Sequence, residues 1–166
     1  KPMNVKGGDM WKLGFNYDQG IGVYFRLMNK FKVLTSKSYG FLTIVDNNDP
    51  NAVPDLNLQK RLGIDENMEL SYEAEKVQLT LFNDLQWNRY RYDDDTYNSS
   101  PLYNSLGISV RLKLSPLEMY IRLSDDFRKG YATSEMNGHK LMSTASISYG
   151  FCKNKCRLSL FVDDIF

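Results

Sequence analysis

The sequence is poor in the residues that enzymes and metal sites most often use. It has one histidine, His139, and two cysteines, Cys152 and Cys156, in 166 residues. It contains no histidine spacing typical of a metal site, no G-x-S-x-G nucleophile motif and no Gly-rich phosphate loop. We therefore predict a protein that is not an enzyme and that holds no metal and no cofactor.

Two further shortages narrow the class of protein. The net charge is only +1, so there is no electrostatic argument for a nucleic-acid partner and we predict none. No apolar run approaches the roughly 20 residues of a membrane-spanning helix. This excludes helical membrane proteins but not membrane β-barrels, whose signal per strand is much weaker. The length suits one domain, residues 1–166.

What the sequence has instead is a strict alternation of apolar and polar residues. Between residues 103 and 127 every second residue is apolar, which is typical of a two-faced β-strand. Eight such rows follow one another along the chain, and no segment keeps a helical period for long. The sequence predicts an all-β protein, an antiparallel up-and-down meander of about eight strands that forms a barrel or a barrel segment.

The predicted connections alternate in length. Turn-forming residues predict short turns and long polar links. The short turns are expected at Asp18–Gly20, Ala74-Glu75, Ser115-Pro116 and Lys153-Asn154. The long links are expected at Ser36–Asp55, Asp93–Pro101 and Gly130–Gly138. In a meander, the long links then lie at one end of the sheet and the short turns at the other.

Cross-strand partners in an antiparallel hairpin share a face, so the apolar rows of each hairpin must agree. They do so if the hairpins pair Tyr17 with Ile21, Tyr72 with Val77, Leu114 with Leu117, and Phe151 with Cys156. The last pairing places Cys152 opposite Lys155 on the polar face and Cys156 on the apolar face. Side chains on opposite faces diverge, so we predict two free thiols.

The alternation of apolar and polar residues does not by itself indicate which face of the sheet contacts water. A membrane barrel is favoured by the long apolar row over Leu102–Leu114, by the charges on the opposite face, and by aromatic residues expected beside the short turns, namely Tyr17, Tyr72 and Phe151. Lys60 and Glu66 interrupt the apolar face and argue against lipid there. The alternative is a soluble or small complete β-barrel that binds an apolar ligand or acts as an adhesin.

The ending STASISYGFCKNKCRLSLFVDDIF resembles the carboxy-terminal part of outer-membrane β-barrel proteins of Bacteroidetes related to TonB-dependent receptors. WKLGFNYDQGI and MELSYEAEKVQLTLFNDLQWNRYRY resemble earlier hairpins of such a barrel. The resemblance implies a barrel of roughly 22 strands around a plug domain in the bacterial outer membrane, where it takes up nutrients. The implied partners are the lipid bilayer and TonB, the latter through a plug domain that this chain lacks. We therefore expect a receptor segment, and its substrate is unknown.

One strand end combines basic and aromatic residues near the predicted outer loops. We predict that it contributes to binding a ligand such as a sugar or peptide, through Trp87, Arg89, Tyr90, Arg91 and Tyr92. Asp93–Asp95 is expected to be a solvated acidic loop and not a calcium site. His139 is expected to be a solvated histidine at a loop edge.

Overall fold

A computed structural model describes residues 8–42, 55–93, 95–152 and 156–164. Eight strands form one sheet in the order β1 to β8, and each strand pairs antiparallel with its sequence neighbours. Their bounds are β1 Asp9–Ile21, β2 Phe25–Leu42, β3 Asp55–Glu73, β4 Val77–Arg91, β5 Leu102–Leu114, β6 Leu117–Lys129, β7 Gly138–Phe151 and β8 Cys156–Asp163. The predicted meander of eight strands is confirmed. β1 and β8 are the edges of an open sheet.

Helical structure in the described ranges is limited to two single turns, Asp95–Tyr97 and Ser134–Met136, both in connections. Among these residues no helix is long and apolar enough to cross a membrane.

The four hairpins close at the predicted end of the sheet, but two of the turns are displaced. The first hairpin closes at the pair Ile21–Phe25, so the predicted turn at Asp18–Gly20 is wrong. Gly22 in the actual turn has a φ of 68°, which glycine adopts without strain. The second hairpin closes where Ala74 N–H donates to the Val77 carbonyl at 2.8 Å, which moves the turn to residues 75–76.

The other two hairpins have the predicted registers. Leu114 pairs with Leu117 across Ser115-Pro116, and Phe151 pairs with Cys156. The predicted turn at Lys153-Asn154 and the predicted partner of Cys152 lie outside the described residues. Both cysteines are free and exposed.

The long connections lie at the opposite end. Residues 92–101 join β4 to β5, and residues 130–137 join β6 to β7, as predicted. The first predicted link, Ser36–Asp55, is too long, because β2 continues to Leu42 with partners on β3. The rest of that link lies outside the described residues.

The register sorts the side chains onto two faces, because cross-strand partners point the same way. Val110 pairs with Leu79 and Ile121, and the next apolar row repeats this with Ile108, Leu81 and Leu123. The predicted continuous apolar face is confirmed, and we call it the outward face. The opposite face, which carries most of the charged residues of the strands, is called the inner face.

Burial shows how the sheet curves. Of the residues that the structure describes, only seven are buried, and six of them lie on the inner face. Ser143 is the outward exception. Side chains crowd one another on the concave side of a curved sheet, so the polar inner face is concave and the apolar face is convex. Leu34 and Phe82 are the only buried apolar side chains in the described part of the chain.

Phe82 occupies the most crowded position on the inner face. It is the cross-strand partner of Gly107, and a Cβ built on Gly107 would meet the Phe82 ring at 2.3 Å and the Leu123 carbonyl oxygen at 2.4 Å. The guanidinium of Arg122 lies 3.8 Å from the centre of the same ring. An aromatic ring therefore covers a glycine on one strand and contacts a cation on the next.

The hairpins are displaced along the sheet by a constant step. The closing pair of a hairpin is the pair of facing residues next to its turn. The second residue of each closing pair faces, on the next strand, the residue two positions before the first residue of the next hairpin's closing pair. Phe25 thus pairs with Tyr72, Val77 with Leu112, and Leu117 with Tyr149. This amounts to one residue per strand, and at about 3.3 Å per residue and about 4.8 Å between strands it is a tilt of about 35°. Barrel strands tilt by about 35–45°.

The crowding at Gly107 predicts that Gly107→Ala destabilises the sheet by about 1–3 kcal/mol, because the Phe82 ring or the Leu123 backbone must shift. The measurement is the free energy of unfolding in urea, followed by circular dichroism. Gly20→Ala is the matched control, since its nearest neighbour, the Phe25 carbonyl oxygen, is 3.9 Å from the added Cβ. Equal losses for both variants would contradict the packing at Gly107.

Candidate functional site

The outward face is an exposed apolar belt. Its side chains include Trp11 and Leu13, which are 75% and 74% exposed, and apolar residues on all eight strands. Exposed apolar patches of this extent mark surfaces that contact a membrane, a ligand or another protein. The belt is therefore the first candidate for a functional surface.

The outward cations lie in one narrow zone, which becomes clear when distance is counted in residues from each hairpin's own closing pair. Every outward lysine or arginine of the described strands is twelve or fourteen residues from that pair. We call these residues the cation ring: Lys37, Lys60, Arg89, Arg91 and Lys129. Ten residues of a strand tilted by about 35° rise about 27 Å. The cation-free belt below the ring thus matches the apolar band of about 25 Å on membrane barrels.

Lys60 and Glu66 are the two residues that argue against lipid contact on the outward face, and the position of the cation ring removes the first of these arguments. Lys60 belongs to the cation ring and lies above the apolar belt. Glu66 does lie within the belt, eight residues from its closing pair, where it accepts a hydrogen bond from Asn29 Nδ2 at 2.9 Å. Asp125 lies at the same distance and contacts His139 Nδ1 at 3.1 Å. Both outward carboxylates of the belt are therefore paired with a polar side chain of the neighbouring strand.

Aromatic side chains concentrate at the two limits of the belt. Near the turns, Tyr72 contacts Tyr24 and Phe25, with ring centroids 5.7 and 5.2 Å apart. Trp11 and Trp87 lie ten residues from their closing pairs, just below the cation ring. Tyr17 is four residues from its closing pair, so its predicted place beside a turn is wrong. Two aromatic levels flanking an apolar band are the pattern of interfacial girdles.

The concave inner face carries polar networks. Asp126 accepts hydrogen bonds from Ser105 Oγ at 2.7 Å and Tyr103 OH at 3.1 Å. Asn67 donates to Asp84 on the neighbouring strand. A polar depression crosses four strands, with acidic side chains on β3 and β4 and arginines on β5 and β6. Its lining includes Glu69, Asp84, Arg111 and Arg122 around Phe82. Both signs of charge face this surface, so it can exchange hydrogen bonds with water and polar solutes.

The five residues predicted to bind a ligand do not form one cluster. Trp87, Arg89 and Arg91 point outward, and Tyr90 points inward, because consecutive strand residues alternate. Tyr92 follows the end of β4. Arg89 and Arg91 line one surface depression together with the loop residues Asp95, Asn98, Ser99 and Ser100.

The two tyrosines instead support the loop end of the inner face. The guanidinium carbon of Arg61 lies 5.6 Å from the centre of the Tyr90 ring. Tyr92 OH accepts a hydrogen bond from Gln59 Nε2 at 2.9 Å, and its ring meets Tyr97 edge-on at 6.3 Å. Ligand binding by the basic and aromatic strand end stays a prediction, now limited to the depression beside Arg89 and Arg91.

The two described loops share a local design that the sequence interpretation missed. In each, a single helical turn is followed by an asparagine whose Oδ1 accepts the backbone N–H of a tyrosine six residues earlier. The bonds join Asn98 to Tyr92 at 2.8 Å and Asn137 to Tyr131 at 3.0 Å. A tyrosine six residues before an asparagine is a weak sequence signal, but its recurrence at the same end of the sheet makes it recognisable.

The remaining candidate residues show no catalytic or metal arrangement. His139 also contacts the Phe127 ring, with ring centroids 4.7 Å apart, and it is well exposed, which agrees with a solvated histidine. In the described ranges no group of three or more His, Cys, Asp or Glu side chains is placed to hold a metal ion.

Comparison of the chain with protein-family models, with curated proteins and with solved structures finds no match. The arguments on function therefore depend on the geometry of the sheet and on the sequence pattern.

The shared loop design predicts that Asn98→Ala exposes the Tyr92 amide. Losing one hydrogen bond costs about 1 kcal/mol, which corresponds to roughly fivefold faster hydrogen exchange at that amide. Asn137→Ala is the reciprocal control, because it affects Tyr131 and leaves Tyr92 unchanged. Exchange followed by mass spectrometry measures both amides. Unchanged exchange at Tyr92 in the first variant would show that Asn98 does not hold this loop.

Proposed function

We propose that the chain forms part of the wall of a β-barrel in a bacterial outer membrane, with its outward face in lipid. The observation that carries the proposal is the cation ring at a constant distance from the turns. Cations facing lipid cost about 2–4 kcal/mol near the midplane and about 0–1 kcal/mol near the interfaces. Their confinement to one level is what a bilayer boundary requires.

Within this class, the sequence resemblance supports a TonB-dependent receptor-like protein that takes up a nutrient. In this proposal TonB acts through a plug domain outside these 166 residues, and the polar inner face lines the transport path. The chain has no catalytic role in it. The depression beside Arg89 and Arg91 lies at the loop end, where a solute arriving from outside first meets the barrel.

The alternative, a soluble or small complete barrel with an apolar ligand inside, requires the apolar face to be the enclosed one. Leu34 and Phe82 are buried on the inner face instead, and the large outward side chains are exposed. We therefore prefer the membrane barrel. A protein that stays dispersed and monomeric without detergent or lipid would favour the alternative.

A matched pair of lysine substitutions tests the proposal. Ile108 and Leu102 share one strand and one face, but they lie six and twelve residues from the closing pair. We expect Ile108→Lys to cost about 2–4 kcal/mol of folding free energy in lipid vesicles, and Leu102→Lys about 0–1 kcal/mol. The measurement is urea titration of vesicle-folded protein. Equal costs at the two positions would argue against a lipid-facing belt.

The two tryptophans offer an independent test of depth. Since Trp11 and Trp87 lie just below the cation ring, we expect their fluorescence to be quenched by brominated lipids. Bromine near the head group should quench more strongly than bromine near the chain end. Trp87→Phe isolates the signal of Trp11. Fluorescence that brominated lipids leave unchanged would place the outward face outside the bilayer.

A further inference from the structure

Three members of the cation ring face one another directly across three neighbouring strands. Lys60 on β3 is the cross-strand partner of Lys37 on β2 and of Arg91 on β4. Like charges that lie directly opposite each other destabilise a sheet. In the strand registers that the structure describes, these are the only two pairs of like charge. We call Lys37, Lys60 and Arg91 the cation row.

The described part of the sheet supplies no counter-charge for the cation row. All three side chains are exposed, and within the described ranges none of them takes part in an ion pair or a side-chain hydrogen bond. Asp9 is the other cross-strand partner of Lys37, but no ion pair joins the two. By contrast, Lys32 on the inner face of β2 pairs with its cross-strand partner Asp65 at 3.3 Å. The row therefore presents concentrated positive charge to its surroundings.

The depression beside Arg89 and Arg91 adjoins the cation row on β4. Asp95 lines the same depression, but its carboxylate accepts a hydrogen bond from Asn98 Nδ2 at 2.6 Å and pairs with neither arginine. A guanidinium presents a rigid fork of N–H donors whose geometry matches the oxygens of a carboxylate or phosphate. Two such forks are thus open to an anionic group at the end of the row.

The outward positions below the cation row become apolar. Four residues nearer the turns, or about 13 Å along the strands, Val33, Ile64 and Trp87 are cross-strand partners on the same three strands. Cations above apolar side chains fit an anionic lipid, with its head group at the row and an acyl chain along the belt. A small soluble anion would contact the cations and leave the apolar side chains uncovered.

We propose that the cation row and Arg89 bind the phosphate groups of anionic lipids in the membrane leaflet at the loop end of the sheet. The inference rests on the proposed function, because only a wall in a bilayer meets lipid at this level. Basic side chains near a membrane surface attract anionic lipids. Their charge-assisted hydrogen bonds to phosphate are about twice as strong as neutral ones.

The spacing of the row allows one phosphate to contact two of its cations. The Cβ atoms of facing residues on neighbouring strands are about 4.5–5.5 Å apart. A phosphate between Lys37 and Lys60, or between Lys60 and Arg91, therefore lies within reach of both side chains. It also places a negative charge between two positive ones, which removes the repulsion within the row.

Selective quenching of Trp87 tests the proposal. Trp11→Phe leaves Trp87 as the single tryptophan of the chain. This variant is folded into two kinds of vesicle that contain equal amounts of phosphatidylglycerol and phosphatidylcholine, with bromine on the acyl chains of one lipid or of the other. The surface charge is then the same in both. We expect brominated phosphatidylglycerol to quench Trp87 more strongly, corresponding to a severalfold preference for the anionic lipid beside it.

A matched pair of substitutions assigns this preference to the row. Lys60→Gln removes the central charge and should lower the preference severalfold. Lys30→Gln, on the inner face of β2, removes the same charge on the opposite side of the sheet and should leave the preference unchanged. Equal losses in the two variants would attribute the preference to net charge and overturn the proposal. A preference that survives replacement of all three residues of the row by Gln would overturn it as well.

The same measurement separates this inference from the proposed function. Equal quenching of Trp87 by the two brominated lipids rejects the phosphate site and leaves the membrane wall standing. Fluorescence that neither brominated lipid changes rejects the wall, and the phosphate site with it.

The free energy of unfolding in urea provides a second measurement, in which the effect of one substitution changes sign with the lipid. In vesicles of phosphatidylcholine alone, Lys60→Glu should stabilise the chain, because it places a negative charge between Lys37 and Arg91. In vesicles that contain phosphatidylglycerol it should destabilise the chain, because it repels the lipid phosphates. Stabilisation of equal size in both kinds of vesicle would show that no lipid phosphate occupies the row.

Discussion

The backbone ladder between neighbouring strands is the interaction on which this structure depends. Two buried apolar side chains in the described ranges, Leu34 and Phe82, are too few to hold a sheet of eight strands together. The ladder instead satisfies the backbone groups strand by strand, and it does so most effectively where water is absent. It also assigns each side chain to a face, sets the tilt and leaves two strands as edges.

The two faces of the sheet differ in how their polar and apolar side chains are distributed, although they share one backbone. The outward face varies along the strand axis, from aromatic residues near the turns through aliphatic residues to the cation ring. The inner face carries charged or polar side chains on every strand, and several of its charges are paired across strands, as between Lys32 and Asp65. The two outward carboxylates of the belt, Glu66 and Asp125, each contact a polar side chain, whereas Asn104 Oδ1 on the same face has no hydrogen-bond partner among the described residues. On the outward face, polarity therefore varies with the distance from the turns. On the inner face, polar residues are accommodated by contacts between neighbouring strands.

The sequence predicted the fold well because face assignment needs only the parity of residue numbers. Moving the first closing pair from Tyr17–Ile21 to Ile21–Phe25 leaves odd residues opposite odd residues, so the predicted faces were right although the predicted turn was wrong.

The position of a residue along the strand axis, by contrast, depends on its distance from the turn. The cation ring, which contains Lys60, therefore could be recognised only once the register was known. The residues predicted to bind a ligand, Trp87, Arg89, Tyr90, Arg91 and Tyr92, are divided between the two faces for the same reason, because neighbouring residues of a strand alternate. Ligand binding at this strand end stays a prediction. The loop design around Asn98 needed coordinates, because one tyrosine and one asparagine carry little signal.

The constant displacement of each hairpin relative to the last makes the sheet modular. Every hairpin meets the next in the same way, so a hairpin can be duplicated or deleted without changing the inclination of the strands that remain. In a closed barrel such an event would change the circumference alone. Under the proposed function, a lineage that carries this wall could therefore change the bore of the barrel in increments of two strands, through gene duplication within the coding sequence, while the thickness of the lipid-facing band stays constant.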